Sequence, residues 1–243
     1  LDFLDEVRDK GKIRYTGFSF HDELPVFKEI VDSYDWDMCQ IQLNILDEHY
    51  QAGVEGLKYA GARGIPVVIM EPLRGGRLAQ SLSQEVIDLW NDYPERRSPV
   101  EWAFRWLYNF PEVTTILSGV STMEQLKDNI KIFENAKPNS MTDDELAHVQ
   151  KVQEYYKGKI KVGCTGCDYC MPCPSGVAIP NIFSMYNDAS MYDDFEHYSK
   201  NYKELIQKDK DASHCIECGN CENACPQHIS IIDKLQEAHK ALV

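Results

Sequence analysis

The sequence has no apolar run approaching the roughly 18–20 residues that a membrane-spanning helix needs, so a helical membrane span is not expected. No secretory n-region and h-region is visible either. Positive charge is scarce: Lys plus Arg number 25 against 39 Asp plus Glu, a formal net charge of −14. Such a chain repels phosphate backbones, which argues against generic nucleic-acid binding. Glycine and proline, 14 and 11 in 243 residues, are too few for a collagen-like chain, and 43% hydrophobic residues exclude a disordered one. Cysteine is nearly missing from the first 160 residues, where Cys39 stands alone in an apolar stretch and reads as a small buried hydrophobe.

What is present divides in two, and domains of 1–158 and 159–243 are expected. The first part alternates short apolar runs with amphipathic stretches. Runs at 13–19, 38–43, Val67–Met70 and 113–117 read as strands; stretches at 24–34, 54–62, 100–110 and Met123–Phe133 read as helices. Ser98-Pro99-Val100-Glu101 and Thr142-Asp143-Asp144-Glu145 carry the residues of a capping box, which satisfies otherwise orphaned N–H groups at a helix start. Trp102 and Trp106, one turn apart, read as helix core. Alternating strands and helices imply a parallel sheet covered by helices, either half of an eight-stranded barrel or most of a doubly wound sheet. In both, ligands sit at the C-terminal ends of the strands. Two of those ends are suited to an anion: Arg74-Gly75-Gly76-Arg77, and Gly119-Val120-Ser121-Thr122, which opens a helix whose first N–H groups favour negative charge. The competing reading is a tight turn and an ordinary cap.

The second part is organised by cysteine. One motif is Cys164-Thr165-Gly166-Cys167-Asp168-Tyr169-Cys170-Met171-Pro172-Cys173-Pro174; the other is Cys215-Ile216-Glu217-Cys218-Gly219-Asn220-Cys221-Glu222-Asn223-Ala224-Cys225-Pro226. Two-residue gaps curl a chain so that three thiolates face one cuboidal cluster, while the fourth Cys, followed by Pro, departs toward a second cluster. Two 4Fe–4S clusters with crossed ligation are therefore expected: Cys164, Cys167 and Cys170 with Cys225, and Cys215, Cys218 and Cys221 with Cys173. Zinc or a single cluster is the alternative, although zinc ribbons pair cysteines across long gaps. Disulfides would suit a small secreted domain. Cys173 follows a gap of two residues where the standard run has three. The stretch between the motifs reads as helical, with Tyr186, Tyr198, Tyr202, Leu205 and Ile206 as core; His21, His49, His214 and His228 read as surface histidines.

Taken in order, the segments of residues 1–133 resemble the C-terminal half of the aldo/keto reductase barrel. Gly11-Lys12-Ile13-Arg14-Tyr15-Thr16-Gly17-Phe18-Ser19 resembles that family's fifth strand and Gln40-Ile41-Gln42-Leu43-Asn44 its sixth. Met70-Glu71-Pro72-Leu73-Arg74-Gly75-Gly76-Arg77-Leu78 resembles the seventh, and 118–129 the eighth strand with its helix. The resemblance implies a nicotinamide-dinucleotide site for NAD or NADP. In it Ser19 and Gln40 hold the carboxamide, the loop with Pro72, Leu73, Gly75 and Gly76 wraps the pyrophosphate, and Gly119, Ser121, Gln125 and Asn129 hold the adenosine end. Phe20 stands where the family commonly has Asn, Met70 where Tyr stacks on the ring, and Gln125 where an Arg often meets the 2′-phosphate. The family's catalytic Asp, Tyr, Lys and His come from the first four strands, which have no counterpart here; no catalytic residue is assigned, and a fragment of a longer protein is expected.

The whole order resembles aldo/keto reductase-like proteins with a C-terminal ferredoxin domain, found mainly in anaerobic bacteria and archaea. The expected fold is α/β: the C-terminal half of a (β/α)8 TIM barrel followed by a small, mainly helical ferredoxin-like domain. The expected function is an iron–sulfur oxidoreductase that couples electron transfer through the clusters to a barrel-borne NAD(P) or carbonyl site. Its partners would be an electron donor or acceptor protein or a small-molecule carbonyl, in the cytoplasm, where a reducing environment suits exposed clusters. The alternative is a non-catalytic electron carrier that uses the half barrel as a docking scaffold.

Overall fold

The computed structural model describes residues 1–80 and 82–243. Among them the chain forms four strands and eleven α-helices, in two compact units, Leu1–Gln153 and Glu154–Val243.

In the first unit, β1 (Gly17–Phe20), β2 (Met38–Gln42), β3 (Val67–Met70) and β4 (Val113–Ile116) form one parallel sheet in the order β1-β2-β3-β4. Parallel neighbours need crossovers, and helices supply them. α2 (Leu24–Ser33) and α3 (Gly53–Gly61) join the first three strands, α4 (Gln84–Asn91) and α5 (Pro99–Tyr108) lie between β3 and β4, and α6 (Met123–Phe133) follows. α1 (Asp2–Asp9) precedes the sheet, and α7 (Asp143–Gly158) follows it. The architecture is a partial (β/α) barrel.

The strands alternate faces as the period of two requires. Cys39 and Ile41 of β2 and Val67 and Ile69 of β3 are buried against the helices, together with Phe27, Leu57, Phe104 and Leu107. Gln40 and Met70 are consequently left on the other face, at the strand ends where this architecture builds sites. The first strand is shorter than its apolar pattern predicts. The Thr16 N–H donates to the Asp37 carboxylate at 2.7 Å, and the ladder starts only at Gly17↔Met38. There a Cβ on residue 17 would lie 2.6 Å from the Met38 side chain, so glycine lets the strands meet. Tyr15, in the expected strand, remains exposed.

Helix starts follow the cap chemistry in two ways. At α7, Thr142 Oγ1 accepts from the Glu145 N–H at 3.2 Å and the Glu145 carboxylate accepts from the Thr142 N–H at 2.8 Å, a reciprocal box. At α5, Ser98 Oγ accepts from the Glu101 N–H at 3.1 Å, but the Glu101 carboxylate faces Arg97 at 3.5 Å and Arg105 at 4.0 Å. Attraction to two guanidinium groups takes the carboxylate that a full box would use. Arg97 also pairs with Glu145 at 2.6 Å, both side chains being almost fully buried.

In the second unit, α8 (Ile179–Tyr192), α9 (Phe195–Gln207) and α11 (Ile231–Leu242) pack around Ile182, Phe183, Ala189, Tyr202, Leu235 and Leu242. The tyrosine stripe is core, as its spacing indicates, with Tyr186, Tyr198, Tyr202 and Leu205 buried, but Ile206, also expected there, is turned to solvent because its neighbour Leu205 takes the inward position. Tyr202 also has a polar task. Its hydroxyl accepts from the Ala212 N–H at 2.9 Å and meets His239 Nδ1 at 2.8 Å. The short α10 (Asn220–Ala224) carries the end of the second cysteine motif. Among the described residues no helix is long and apolar enough to cross a membrane.

Candidate functional site

The cysteine segments have little regular structure and rest on the helical core. Cys164, Cys170, Cys173, Cys215, Cys221 and Cys225 are partly buried against it, while Cys167 and Cys218 are exposed. The two motifs share a backbone pattern. In the first, Gly166 and Asp168 have φ of 71° and 60°; in the second, Glu217 and Gly219 have φ of 53° and 75°. The positive-φ residues thus flank the second cysteine of each motif. Alternating φ signs turn successive N–H groups to the same side and form the concave nest that holds anionic iron–sulfur centres. Asp168 and Glu217 adopt that conformation without the freedom of glycine. Their occupation of the left-handed region marks a conformation required by the surroundings.

The eight thiols divide between two cavities. One is lined by Cys164, Cys167, Cys170 and Cys225; the other is lined by Cys173, Cys215, Cys218 and Cys221, with Cys170 also at its wall. With the shared Cys170 counted in the first cavity, where Cys164 and Cys167 also lie, each cavity takes three cysteines from one motif and the last from the other. The Met171–Pro172 peptide, within the shortened gap before Cys173, is cis. Among the described residues no three His, Cys, Asp or Glu side chains close on one point as ligands of a single ion. Burial, reinforced by neighbouring thiols, pushes the Cys164 thiol up and that of Cys170 to about 11. Burial also raises Cys221, against the opposing pull of the Glu222 backbone. Such thiols hold their protons at neutral pH, so binding a metal there would release protons. Four soft sulfur donors around each of two cavities, set in nests of N–H groups, fit two cuboidal clusters.

In the first unit, the strand ends bring Ser19, Gln40 and Met70 together. Gln40 Nε2 lies 3.3 Å from Ser19 Oγ and 3.3 Å from Met70 Sδ. Beyond them a groove of about 1060 Å³ runs between the loop after β3 and the start of α6, large enough for a dinucleotide. Pro72, Leu73, Gly75, Gly76, Gly119, Gln125 and Asn129 line it; Ser19, Gln40 and Ser121 do not. The loop after β3 is tightly wound, with positive φ at Glu71, Arg74, Gly75 and Gly76. It is anchored by Asn44, whose buried side chain donates to the Glu71 carbonyl at 3.1 Å and to Asp47 Oδ2 at 2.8 Å.

Two features of this groove differ from the sequence reading. The Glu71 carboxylate accepts from the Gly75 N–H at 2.6 Å, so a donor facing any anion already has a resident negative partner. At α6, Gln125 Oε1 accepts from the Ser121 and Thr122 N–H groups at 2.9 and 3.2 Å, and Thr122 Oγ1 accepts from the Gln125 N–H at 3.2 Å. This capping box occupies donors that the sequence suggested were available to an anion. The Thr122-x-x-Gln125 spacing could have revealed it. Asn129 Nδ2 donates to Ser118 Oγ at 2.8 Å, linking α6 to the end of β4. His21 and His49 are exposed.

A partial parallel barrel followed in the chain by a cysteine-nested helical module defines an oxidoreductase-like class, and comparison with known proteins makes the family explicit. The chain belongs to the aldo/keto reductase family, whose model matches residues 1–154, and a 4Fe-4S dicluster domain matches residues 163–230. Among solved structures it is similar to the aldo-keto reductase AKR11C1 from Bacillus halodurans in its holo form, at 25% identity and a TM-score of 0.52, over 62% of this chain and 54% of that one. The apo form of the same protein matches at 25% identity and a TM-score of 0.51, over 62% and 55% of the two chains. The chain thus spans about half the length of these relatives. No curated protein matches it.

Proposed function

We propose that this chain is the cluster-bearing part of an iron–sulfur oxidoreductase whose barrel handles a nicotinamide dinucleotide or a carbonyl substrate. The observation that carries the reading is the crossed division of eight cysteines between two cavities. Cys164, Cys167, Cys170 and Cys225 hold one 4Fe–4S cluster, and Cys173, Cys215, Cys218 and Cys221 hold the other. When bound, the clusters supply one electron each, matching the two electrons that, with two protons, convert a carbonyl to an alcohol, or with one proton convert NAD(P)+ to NAD(P)H.

The chain's own residues position these groups. Ser19 and Gln40 present a hydroxyl and an amide to the nicotinamide carboxamide. The loop of Pro72, Leu73, Gly75 and Gly76 borders the pyrophosphate, and Gly119, Gln125 and Asn129 border the adenosine end, with Ser121 behind them bonded to Gln125. The partner is an electron donor or acceptor protein, and the compartment is the reducing cytoplasm.

A second reading, an electron carrier whose half barrel only docks, is favoured by Met70 in place of a stacking ring and by the Glu71 carboxylate already holding the Gly75 amide. Anaerobic titration with NADH and with NADPH separates the two. Bleaching of the cluster absorbance by either nucleotide supports the coupled enzyme; bleaching by dithionite alone leaves the carrier.

A further inference from the structure

Tyr169 and Ile216 are large apolar side chains that the fold leaves in water, 69% and 68% exposed. Apart from the terminal Val243, no large hydrophobic among the described residues of the second unit is as exposed. They come from different motifs, yet both line the cavity of Cys173, Cys215, Cys218 and Cys221. Isolated exposed hydrophobics are ordinary, but two from distant segments that both border one site concentrate apolar surface there.

The flanking sequence carries little positive charge, and Lys234, between the lining residues Ile232 and Leu235, is paired with Glu237 at 2.7 Å. No Lys or Arg occurs between Lys161 and Lys200, or between Lys210 and Lys234, and these stretches contain both motifs. The motifs themselves carry Asp168, Glu217 and Glu222. The Glu222 carboxylate is engaged with the Ile232 N–H at 2.9 Å, and Glu217 accepts from Gln236 Nε2 at 2.9 Å, a neutral donor that leaves its charge uncompensated. A cluster held by four thiolates adds further negative charge at the same place. The resulting face has an apolar centre and an anionic rim, the anatomy of a small protein interface.

We infer that this face, centred on Tyr169 and Ile216, docks a one-electron redox protein that presents a basic rim around an apolar patch. The inference rests on the reading that the second cavity holds a cluster. Opposite charge steers the encounter and sets its orientation, while the two apolar side chains exclude water from the contact nearest the cluster. Weak redox encounters bury little area, so a patch anchored by two side chains is of suitable size.

The test uses the anaerobically reconstituted chain and zinc-substituted cytochrome c, a basic probe inert toward the clusters in its ground state, with Kd read from the quenching of its triplet lifetime by the bound chain. The wild type should bind it at low salt and lose about tenfold or more in affinity toward physiological ionic strength. Ile216→Ser and Tyr169→Ser should each weaken binding about three- to tenfold while keeping the salt dependence. Glu217→Lys should weaken binding and flatten the salt dependence. If a serine variant loses iron, the salt titration of the wild type and the Glu217→Lys variant still decide. The inference is overturned if the probe's affinity ignores salt and all three substitutions, or if an acidic flavodoxin binds as tightly. A reconstituted chain without iron would overturn the cluster reading itself; a chain with iron but no response in these variants overturns the docking face alone.

Discussion

Replacing Asn44 by alanine should loosen the β3 loop and destabilise the first unit, and the hydrogen bonds determine by how much. The buried amide makes four: Nδ2 to Asp47 Oδ2 and to the Glu71 carbonyl, and Oδ1 from the Leu46 and Asp47 N–H groups at 3.0 and 3.1 Å. Four bonds at a net 0.5–1.5 kcal/mol each would total about 2–6 kcal/mol. Three of the four partners keep another contact. The Asp47 N–H still reaches the Asn44 carbonyl, the Glu71 carbonyl still accepts from Arg74, and the Asp47 carboxylate still accepts from Gln42. Only the Leu46 N–H is left with no other acceptor among the described residues. The expected loss therefore lies at the lower end, about 2–3 kcal/mol. Trp36, Trp90, Trp102 and Trp106 all lie in the first unit, so tryptophan fluorescence follows its unfolding without a signal from the second. With a urea slope of about 2 kcal/mol per molar, the midpoint should fall by about 1 M. An unchanged midpoint would refute the view that this side chain ties the strand end to the loop.

Burial raises the Glu145 carboxyl, but the Thr142 amide and the Arg97 guanidinium outweigh it and hold the carboxyl below its ordinary 4.5. A depressed carboxylate adds stability above its unfolded value and loses it as pH falls through the folded one. The wild type should therefore weaken below about pH 4.5, and Glu145→Gln should lose that part of the acid dependence and be about 2–4 kcal/mol less stable at pH 7. Parallel stability–pH curves from urea titrations would contradict this. Tyr202→Phe leaves the Ala212 N–H without its buried acceptor and should cost the second unit about 1–3 kcal/mol. The readout is the urea midpoint of cluster absorbance, and an unchanged midpoint counts against it. Glu71→Gln removes a negative charge from the Gly75 amide, so NAD(P)H should bind about three- to tenfold tighter in fluorescence titrations. Weaker binding would mean that the carboxylate shapes the loop rather than competing with the ligand.

Much of the fold was legible because hydrophobic period and turn chemistry agreed. The bounds of β3 and α6 coincide with the apolar run and the amphipathic stretch read from the sequence. Ile13 and Tyr15 misled because an alternating pattern cannot show that the Asp37 carboxylate holds the Thr16 amide outside the ladder. α4 escaped notice because eight residues make only about two turns, too short a window for the helical period to stand out. At the candidate sites, spacing suggests the crossed grouping of cysteines that the proposed function uses, since short gaps restrict which thiols can face one centre. The positive φ of Asp168 and Glu217 was not, because neither residue type requires that conformation. The resident carboxylate of Glu71 escaped for a related reason: a side chain returning to an amide four residues on leaves no periodic trace.

The central claim is that the second unit holds two 4Fe–4S clusters on crossed cysteine sets, and the most direct measurement is iron and acid-labile sulfide per chain in anaerobically reconstituted wild type and Cys225→Ala. The account predicts about eight iron and eight sulfide in the wild type and about four of each in the variant. Four of each in the wild type, zinc in place of iron, or an undiminished content in Cys225→Ala would contradict it.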